Sequence, residues 1–167
     1  MKGGDYLRII AAVDQNWAIG NRGGLLYRIP GDLAHFRTLT YGGIVVYGRN
    51  TLATFPDGEA LEDRTNLILT HDDKFECEGA TIIHSVDELG KYPDDNMWVI
   101  GGAQVYSQLY KRCKYAYITK IEAATSDYDV VFPNLDEEGW EIVYTSPPKT
   151  YNGLRYSFVT YKNPSID

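Results

Sequence analysis

The sequence predicts an α/β protein in which a mostly parallel central sheet is flanked by helices on both faces. Short apolar runs rich in β-branched residues alternate with helical stretches, which is typical of a parallel sheet covered on both sides. Near the end of the chain, Asn152 and Gly153 form a strong type I′ turn signal, so a C-terminal antiparallel hairpin is expected at one edge. The length of 167 residues predicts a single domain over residues 1–167.

Six apolar runs are the predicted strands of the parallel part of the sheet. Each is short and rich in aliphatic residues, and several are bounded by Gly, Asn, Asp or Ser, as buried strands usually are. In chain order these runs occupy residues 6–13, 44–47, 66–70, 80–83, 97–100 and 115–121. The two strands of the hairpin are expected at 140–145 and 154–161.

Helices are predicted between these strands. Pro30 suits the first turn of a helix over 31–40, because the N–H that proline lacks would have no partner there. Ser85 and Glu88 have the spacing of a capping box, so another helix is expected to begin there. A further helical stretch covers 103–110. The segment 14–26, which contains Gly20, Gly23 and Gly24, is predicted to be a loop.

Charge and cysteine content argue against several kinds of partner. The net charge of −7 and the pI near 4.9 argue against nucleic acid or an anionic membrane, although a few arginines can still bind a small anion. Cys77 and Cys113 match no metal or redox spacing, and two free thiols are favoured over one disulfide. The run at 6–13 is too short for a membrane span and no leader cleavage site follows it, so a cytoplasmic protein is expected.

Asp32 has apolar surroundings for a carboxylate, since Leu25, Ile29, Leu33 and Phe36 lie near it in the chain. The local pattern alone favours a surface aspartate that interacts with the helix macrodipole, a common role worth about 0.3–1 kcal/mol. The alternative is a buried acid that supports proton transfer, because burial raises the pKa of a carboxyl more than the dipole lowers it. The local pattern leaves both interpretations open.

Two glycine-containing segments follow predicted strands. Gly48-Arg49-Asn50-Thr51 opens a short helix, where free N–H groups and the Arg49 guanidinium could meet an anion, although a simple turn is as good an interpretation. Gly101 and Gly102 repeat this arrangement and allow close approach of a ligand to the backbone. Neither segment is the G-x-G-x-x-G fingerprint. Since ligands of open α/β sheets bind beyond the carboxyl ends of strands, both segments should face one crevice.

Taken in order, these segments resemble the dihydrofolate reductase family, and the resemblance covers residues 6–162. It begins with 10–13, 16–20, 26–33 and Phe36. It continues through 48–51, Arg64, Thr70, 100–102, Tyr106, Thr119 and 132–133.

The resemblance implies NADPH-dependent reduction of 7,8-dihydrofolate to 5,6,7,8-tetrahydrofolate, which supports one-carbon metabolism. Asp32, supported by Thr119, would bind the 2-amino and N3 side of the pterin. Tyr27 could keep a water-mediated link to this ring, and Arg64 would bind the glutamate α-carboxylate of the substrate in a bidentate pair. The apolar slot around the substrate would consist of Ile10, Leu33, Phe36, Phe55 and Ile100.

The resemblance also implies NADPH as the cofactor in preference to NADH. Arg49, with Thr70 and His71, would meet the phosphates on the adenosine side, and Gly101-Gly102 resembles the cis glycine pair of the family. The other two histidines, His35 and His84, are expected at the surface. The predicted cofactor residues are Ala12, Ile19, Gly20, Gly48, Arg49, Asn50, Thr51, Leu69, Thr70, His71, Gly101, Gly102, Ala103, Gln104, Val105 and Tyr106.

The mechanism implied by the resemblance is hydride transfer to pterin C6 with protonation at N5. Because N5 would lie beyond the direct reach of Asp32, this residue would orient the ring while a water delivers the proton. The chain departs from the family pattern at three places. Leu26-Tyr27 replaces a frequent Pro-Trp, Tyr47 stands where methionine is common, and Gln104 replaces a frequent arginine that would contact cofactor phosphate.

Two other functions stay open. A related reductase on the same fold could act on another heterocycle, such as the pyrimidine of riboflavin synthesis, although Asp32 together with Arg64 argues against it. A non-catalytic nucleotide- or pterin-binding module would bind NADPH without oxidising it. A monomer is expected from the resemblance, and no metal site is predicted.

Overall fold

A computed structural model describes residues 7–21, 24–93 and 95–167. The first half of the chain contains β1 (Arg8–Val13), β2 (Ala18–Asn21), β3 (Gly24–Leu25), α1 (Pro30–Thr40), β4 (Ile44–Gly48), α2 (Arg49–Leu52), β5 (Thr65–Leu69) and β6 (Ala80–Ile83). The second half contains β7 (Met97–Gly101), α3 (Ala103–Leu109), β8 (Tyr115–Ile121), β9 (Val130–Val131), β10 (Glu141–Thr145), β11 (Lys149–Tyr151) and β12 (Leu154–Lys162). Short 3₁₀ helices cover Pro56–Gly58, Val86–Lys91 and Tyr110–Arg112.

Within these residues, nine strands form one mixed sheet. The order is β10-β12-β8-β1-β7-β4-β5-β6, and β11 also pairs with β12. All neighbours from β8 to β6 are parallel, whereas β12 runs antiparallel to β8, β10 and β11. The prediction of a mostly parallel sheet with an antiparallel C-terminal edge is therefore confirmed.

The apolar core lies on both faces of the sheet, because successive side chains of a strand point to opposite sides. Ile9 and Val46 belong to a buried cluster that includes Leu109 of α3. Ile10 belongs to the cluster on the other face, which includes Phe36 of α1. The strands therefore carry apolar residues on both faces and appear in the sequence as continuous apolar runs.

The prediction of a loop over 14–26 is wrong in part. β2 and β3 pair with each other, and β2 also pairs with β9, so that a small antiparallel sheet forms beside the main one. Strands of two to four residues are too short to show an alternating pattern, and β9 lies far away in the chain. Gly23 falls outside the described residues.

The C-terminal turn is confirmed, but the strand that precedes it is not the predicted one at 140–145. Asn152 and Gly153 have φ of 48° and 78°, as a type I′ turn requires. They connect β11 to β12, while β10 pairs with the far half of β12. Pro147 and Pro148 separate β10 from β11, because proline cannot donate a hydrogen bond to the ladder.

The capping box at Ser85 is confirmed, and the helix that follows it is a 3₁₀ helix. The Ser85 hydroxyl accepts a hydrogen bond from the Asp87 N–H, and the Glu88 carboxylate accepts one from the Ser85 N–H. Cys77 and Cys113 are free thiols, as expected. Among the helices described, none has the length and apolar character that crossing a membrane would need.

Candidate active site

A crevice of about 1360 Å³ opens at the carboxyl ends of β1, β7, β4 and β5. This volume exceeds the roughly 300–1,000 Å³ of a site for one small ligand, so the crevice has room for two ligands side by side. Every predicted site residue lines it except Thr119, which is buried behind Asp32. The structure therefore brings together the residues that the sequence distributes over most of the chain.

The crevice begins where two neighbouring strands separate. β1 and β7 pair only at Arg8 with Trp98 and at Ile9 with Val99. Beyond that point the Tyr106 hydroxyl lies 2.8 Å from the carbonyl oxygens of both strands, those of Ile10 and Ile100. Burial raises the pKa of Tyr106, so its hydroxyl stays protonated and can donate its one hydrogen to either carbonyl oxygen. Tyr106 thus bridges the separated strands in the wall of the crevice.

Asp32 occupies the first turn of α1 and lines the crevice. The helix is anchored by Ile29, which is 1% exposed, and Pro30 is its first residue. The Thr119 hydroxyl of β8 donates to Oδ1 of Asp32 over 2.5 Å. Burial raises the pKa of Asp32, and the hydrogen bond from Thr119 partly opposes this increase. The structure therefore favours the buried acid over the surface aspartate.

Apolar side chains surround this carboxyl. Ile10 and Ile100 are nearly buried, whereas Leu33 is 39% exposed and lines the crevice together with Phe36 and Phe55. A flat ligand that covers an exposed apolar side chain removes apolar surface from water, and this burial favours binding. The slot thus combines apolar walls with a single adjacent acid–hydroxyl pair.

Tyr47, which stands where the family often has methionine, belongs to the core and does not line the crevice. Its side chain is 0% exposed, and its hydroxyl donates to Oδ1 of Asn66 over 2.8 Å. Its ring packs edge-on against Phe55, with ring centroids 5.0 Å apart. This substitution therefore acts on the slot through the position of Phe55.

Arg64 and Arg37 both lie in the wall of the same crevice. Arg64 has a buried Nε with no hydrogen-bond partner among the described residues. Burial lowers the pKa of Arg64, and repulsion from Arg37 lowers it further, whereas Asp63 opposes the shift. An unpaired, partly desolvated guanidinium is well suited to binding a carboxylate. The sequence analysis missed Arg37, although it follows Leu33 by four residues and so shares its helix face.

The second glycine segment packs against α2. The peptide between Gly101 and Gly102 is cis, and Gly101 has φ of 153°. A Cβ atom at Gly101 would lie 3.0 Å from Oγ1 of Thr51, and one at Gly102 would lie 3.2 Å from the same atom. Glycine therefore allows the end of β7 to approach α2 closely and leaves backbone groups at the crevice surface.

Arg49 lies at the end of β4 and is already paired. Its Nη1 atom lies 2.9 Å from Oδ2 of Asp72, and its guanidinium carbon lies 4.5 Å from the centre of the Phe75 ring. Thr70 and His71 line the same part of the crevice. The sequence analysis did not identify Asp72, because a pairing across 23 positions leaves no local pattern.

A buried aspartate connects several segments beside the crevice. Asp14 is 1% exposed, and its Oδ1 accepts hydrogen bonds from the N–H groups of Asn16 and Ala18 at 2.9 and 3.1 Å. Its Oδ2 accepts from the Tyr27 hydroxyl at 3.2 Å and from the Thr125 N–H at 3.3 Å. The Tyr27 hydroxyl thus donates its hydrogen bond to Asp14, a partner that was not predicted from the sequence.

The histidines expected at the surface differ in their surroundings. His84 is exposed, and its Nδ1 lies 2.8 Å from the carbonyl oxygen of Thr70. His35 is half-buried and stacks on Phe158 with ring centroids 3.8 Å apart. Burial lowers the pKa of His35, so the ring is neutral at pH 7.

An acid in an apolar slot, in one crevice with an arginine and a glycine pair at the ends of parallel strands, is an arrangement typical of α/β oxidoreductases that use a nucleotide cofactor. Comparison with known proteins identifies the family. The family model described as dihydrofolate reductase matches residues 6–163. The chain belongs to the dihydrofolate reductase family, as the resemblance in its sequence predicted.

Individual relatives agree over nearly the whole chain. The dihydrofolate reductase of Bacillus subtilis (strain 168) is 31% identical over 161 residues, which cover 93% of this chain and 94% of that protein. The dihydrofolate reductase of Mycobacterium leprae (strain TN) is 34% identical over 158 residues, with 92% and 95% covered. The structure of dihydrofolate reductase from Enterococcus faecalis complexed with NADP(H) and RAB-propyl matches with a TM-score of 0.82, at 30% identity, and covers 97% of this chain and 98% of that chain.

Proposed function

We propose that this protein reduces 7,8-dihydrofolate to 5,6,7,8-tetrahydrofolate with NADPH, with hydride added at pterin C6 and a proton at N5. The observation that carries the proposal is the half-buried Asp32 with its Thr119 hydrogen bond, set in an apolar slot in the same crevice as Arg49 and the Gly101-Gly102 pair. Family membership supports the same reaction. The product supports one-carbon metabolism, and we expect the enzyme to be a cytoplasmic monomer.

The residues present fit the cofactor. Arg49 and the Thr70 hydroxyl offer donors for phosphate oxygens, and the glycine pair at 101–102 lets a ligand approach the backbone. We assign the nicotinamide end of the crevice to Ala12, Ile19 and Gly20, which line it near the end of β1. When bound, NADPH supplies the hydride.

The residues around Asp32 fit the substrate. The carboxyl group can accept hydrogen bonds from the 2-amino and N3 side of the pterin, while Thr119 holds one of its oxygens in place. Arg64, whose Nε has no hydrogen-bond partner among the described residues, offers its guanidinium to the glutamate α-carboxylate. Apolar walls exclude water and hold the two rings in near contact, which hydride transfer requires.

Asp32 supports protonation without touching N5. Burial raises the pKa of Asp32, so this carboxyl binds a proton more tightly than an exposed aspartate does. We assign delivery of the proton to a water in the slot, with Asp32 orienting the ring that receives it. The Tyr27 hydroxyl, which already donates to Asp14, could only accept a hydrogen bond from such a water.

The test is the substitution Asp32→Asn, which keeps the size of the side chain and its acceptor for Thr119. We expect NADPH binding to persist and kcat at pH 7 to fall by about 100-fold or more, as loss of acid–base support typically does. The matched control is Asp87→Asn, an exposed aspartate that also lies in the first turn of a helix but does not line the crevice.

Both variants are assayed by the loss of NADPH absorbance after dihydrofolate is added. Turnover of Asp32→Asn at the parental rate would show that the role assigned to Asp32 is wrong. Binding of NADPH by the parent protein without oxidation would instead indicate a binding module, and turnover of a different heterocycle would indicate a related reductase.

A further inference from the structure

The end of the crevice assigned to cofactor phosphate contains an ion pair. Arg49 lies at the start of α2, and its guanidinium is held from two sides, by the Asp72 carboxylate at 2.9 Å and by the Phe75 ring at 4.5 Å. Both charged side chains are almost half exposed, at 46% and 44%. The pair is therefore accessible to a ligand in the crevice, and a ligand that binds Arg49 also meets Asp72.

Asp72 keeps its position independently of Arg49. Its Oδ1 accepts a hydrogen bond from the Lys74 N–H at 3.0 Å, and its own N–H donates to the Thr70 hydroxyl oxygen at 3.2 Å. The hydrogen bond from Lys74, followed by the effect of Arg49, lowers the pKa of Asp72, so the carboxylate is charged at neutral pH. If Arg49 turns towards a ligand, this negative charge stays beside the site.

Arg49 and the segment 72–74 together carry no net formal charge. Arg49 and Lys74 contribute two positive charges, and Asp72 and Asp73 contribute two negative charges. Gln104, which lines the same crevice, adds none. Nucleotide-binding proteins commonly accept an adenosine ribose phosphate with arginine, whereas a carboxylate at that place accepts hydrogen bonds from the free ribose hydroxyl and repels the phosphate.

We propose that Asp72 is a specificity-determining residue that weakens the preference of this enzyme for NADPH over NADH. It does so by pairing with Arg49 and by repelling the extra phosphate of NADPH, while its oxygens remain available to a ribose hydroxyl. The inference rests on the proposed function, because it places the adenosine phosphate at Arg49.

The test is an equilibrium titration of the purified protein with NADPH and with NADH, followed by the fluorescence of the reduced nicotinamide and without substrate. Asp72→Asn keeps the Oδ1 acceptor for the Lys74 N–H and removes the charge. We expect it to lower the Kd for NADPH by about 3- to 10-fold, the size of a screened charge–charge effect at a few ångströms in water. The Kd for NADH should not fall and should rise slightly, because an amide oxygen is a weaker acceptor for the ribose hydroxyl than a carboxylate. The gain for NADPH should shrink at high salt.

Asp73→Asn is the matched control, because it removes the same charge one position further along the chain. Three results would each overturn the inference. The ratio of the Kd values for NADPH and NADH could be unchanged in Asp72→Asn, NADPH binding could be weaker in Asp72→Asn, or Asp73→Asn could show an equal gain in NADPH affinity. Arg49→Gln should weaken NADPH more than NADH, and an equal loss for both would also overturn the inference. If the parent protein binds neither dinucleotide, the proposed function itself is wrong.

Discussion

Asp32 is held where its charged form is disfavoured. Burial raises the pKa of this carboxyl, and the hydrogen bond from Thr119 only partly compensates. A raised pKa means that the folded protein binds the proton more tightly than the unfolded chain does. The stability linked to this proton is fully present below the unfolded pKa and is lost as the pH rises through the folded pKa.

Asp32→Asn should therefore stabilise the protein at neutral pH, because the asparagine cannot ionise and still accepts the hydrogen bond from Thr119. The stability difference from the parent should shrink as the pH falls through the folded pKa of Asp32. Urea unfolding at a series of pH values measures this difference. A variant that is less stable than the parent at neutral pH would contradict the account. Greater stability with lower turnover is a common trade-off at functional sites.

The Tyr27 hydroxyl donates a hydrogen bond to the buried carboxylate of Asp14, and loss of this bond should lower the stability of the protein. Tyr27→Phe leaves Oδ2 of Asp14 without this donor, and we expect a loss of about 0.5–1.5 kcal/mol in the free energy of unfolding. Tyr110→Phe is the control, because the Tyr110 hydroxyl also donates to a carboxylate, that of the exposed Glu138. An exposed pair of this kind contributes about 0–1 kcal/mol. Equal losses in chemical denaturation would show that burial of Asp14 has no effect.

The turn from β7 into α3 depends on glycine. Gly101→Ala places a Cβ at 3.0 Å from Oγ1 of Thr51 and forces a side chain onto a backbone with φ of 153°. We expect a loss of about 1–3 kcal/mol in stability and weaker NADPH binding, because the end of β7 must shift. In Gly90→Ala, by contrast, the new Cβ has no described atom within 4 Å. Thermal unfolding and NADPH titration measure both variants, and similar behaviour of the two would contradict the account.

The elements that the sequence predicted are those with local signals. Strands with continuous apolar runs, the capping box at Ser85 and the turn at Asn152 follow from neighbouring residues. β2, β3 and β9 were missed because each is too short to show a period and is stabilised by a distant partner. β11 was missed, and β10 was assigned to the hairpin in its place, because β11 is only three residues long, although Pro147 and Pro148 mark the break between the two strands.

At the scale of the whole molecule, the sequence predicted which segments meet but not which side chains pair. The rule that ligands bind beyond the carboxyl ends of strands, together with the family resemblance, placed the predicted residues in one crevice. The pairs Arg49–Asp72 and Tyr27–Asp14, and the proximity of Arg37 to Arg64, were not predicted. Each depends on side-chain positions that only the folded chain defines, and helical spacing could have indicated Arg37 alone.

The separation of β1 and β7 also belongs to the whole molecule. Their pairing ends at Ile9 and Val99, and the Tyr106 hydroxyl reaches a carbonyl of each strand beyond that point. The apolar slot around Asp32 and the end that contains Arg49 share one crevice because the sheet opens there. Under the proposed function, this geometry would bring the electron acceptor and the donor together away from water.

The most direct test of the account follows NADPH absorbance after dihydrofolate is added to the purified protein. We expect one molecule of NADPH to be oxidised for each molecule of dihydrofolate reduced. Oxidation should stop when either compound is exhausted. Tight binding of both compounds with no change in NADPH absorbance would contradict it, because the crevice would then bring the two rings together without permitting hydride transfer.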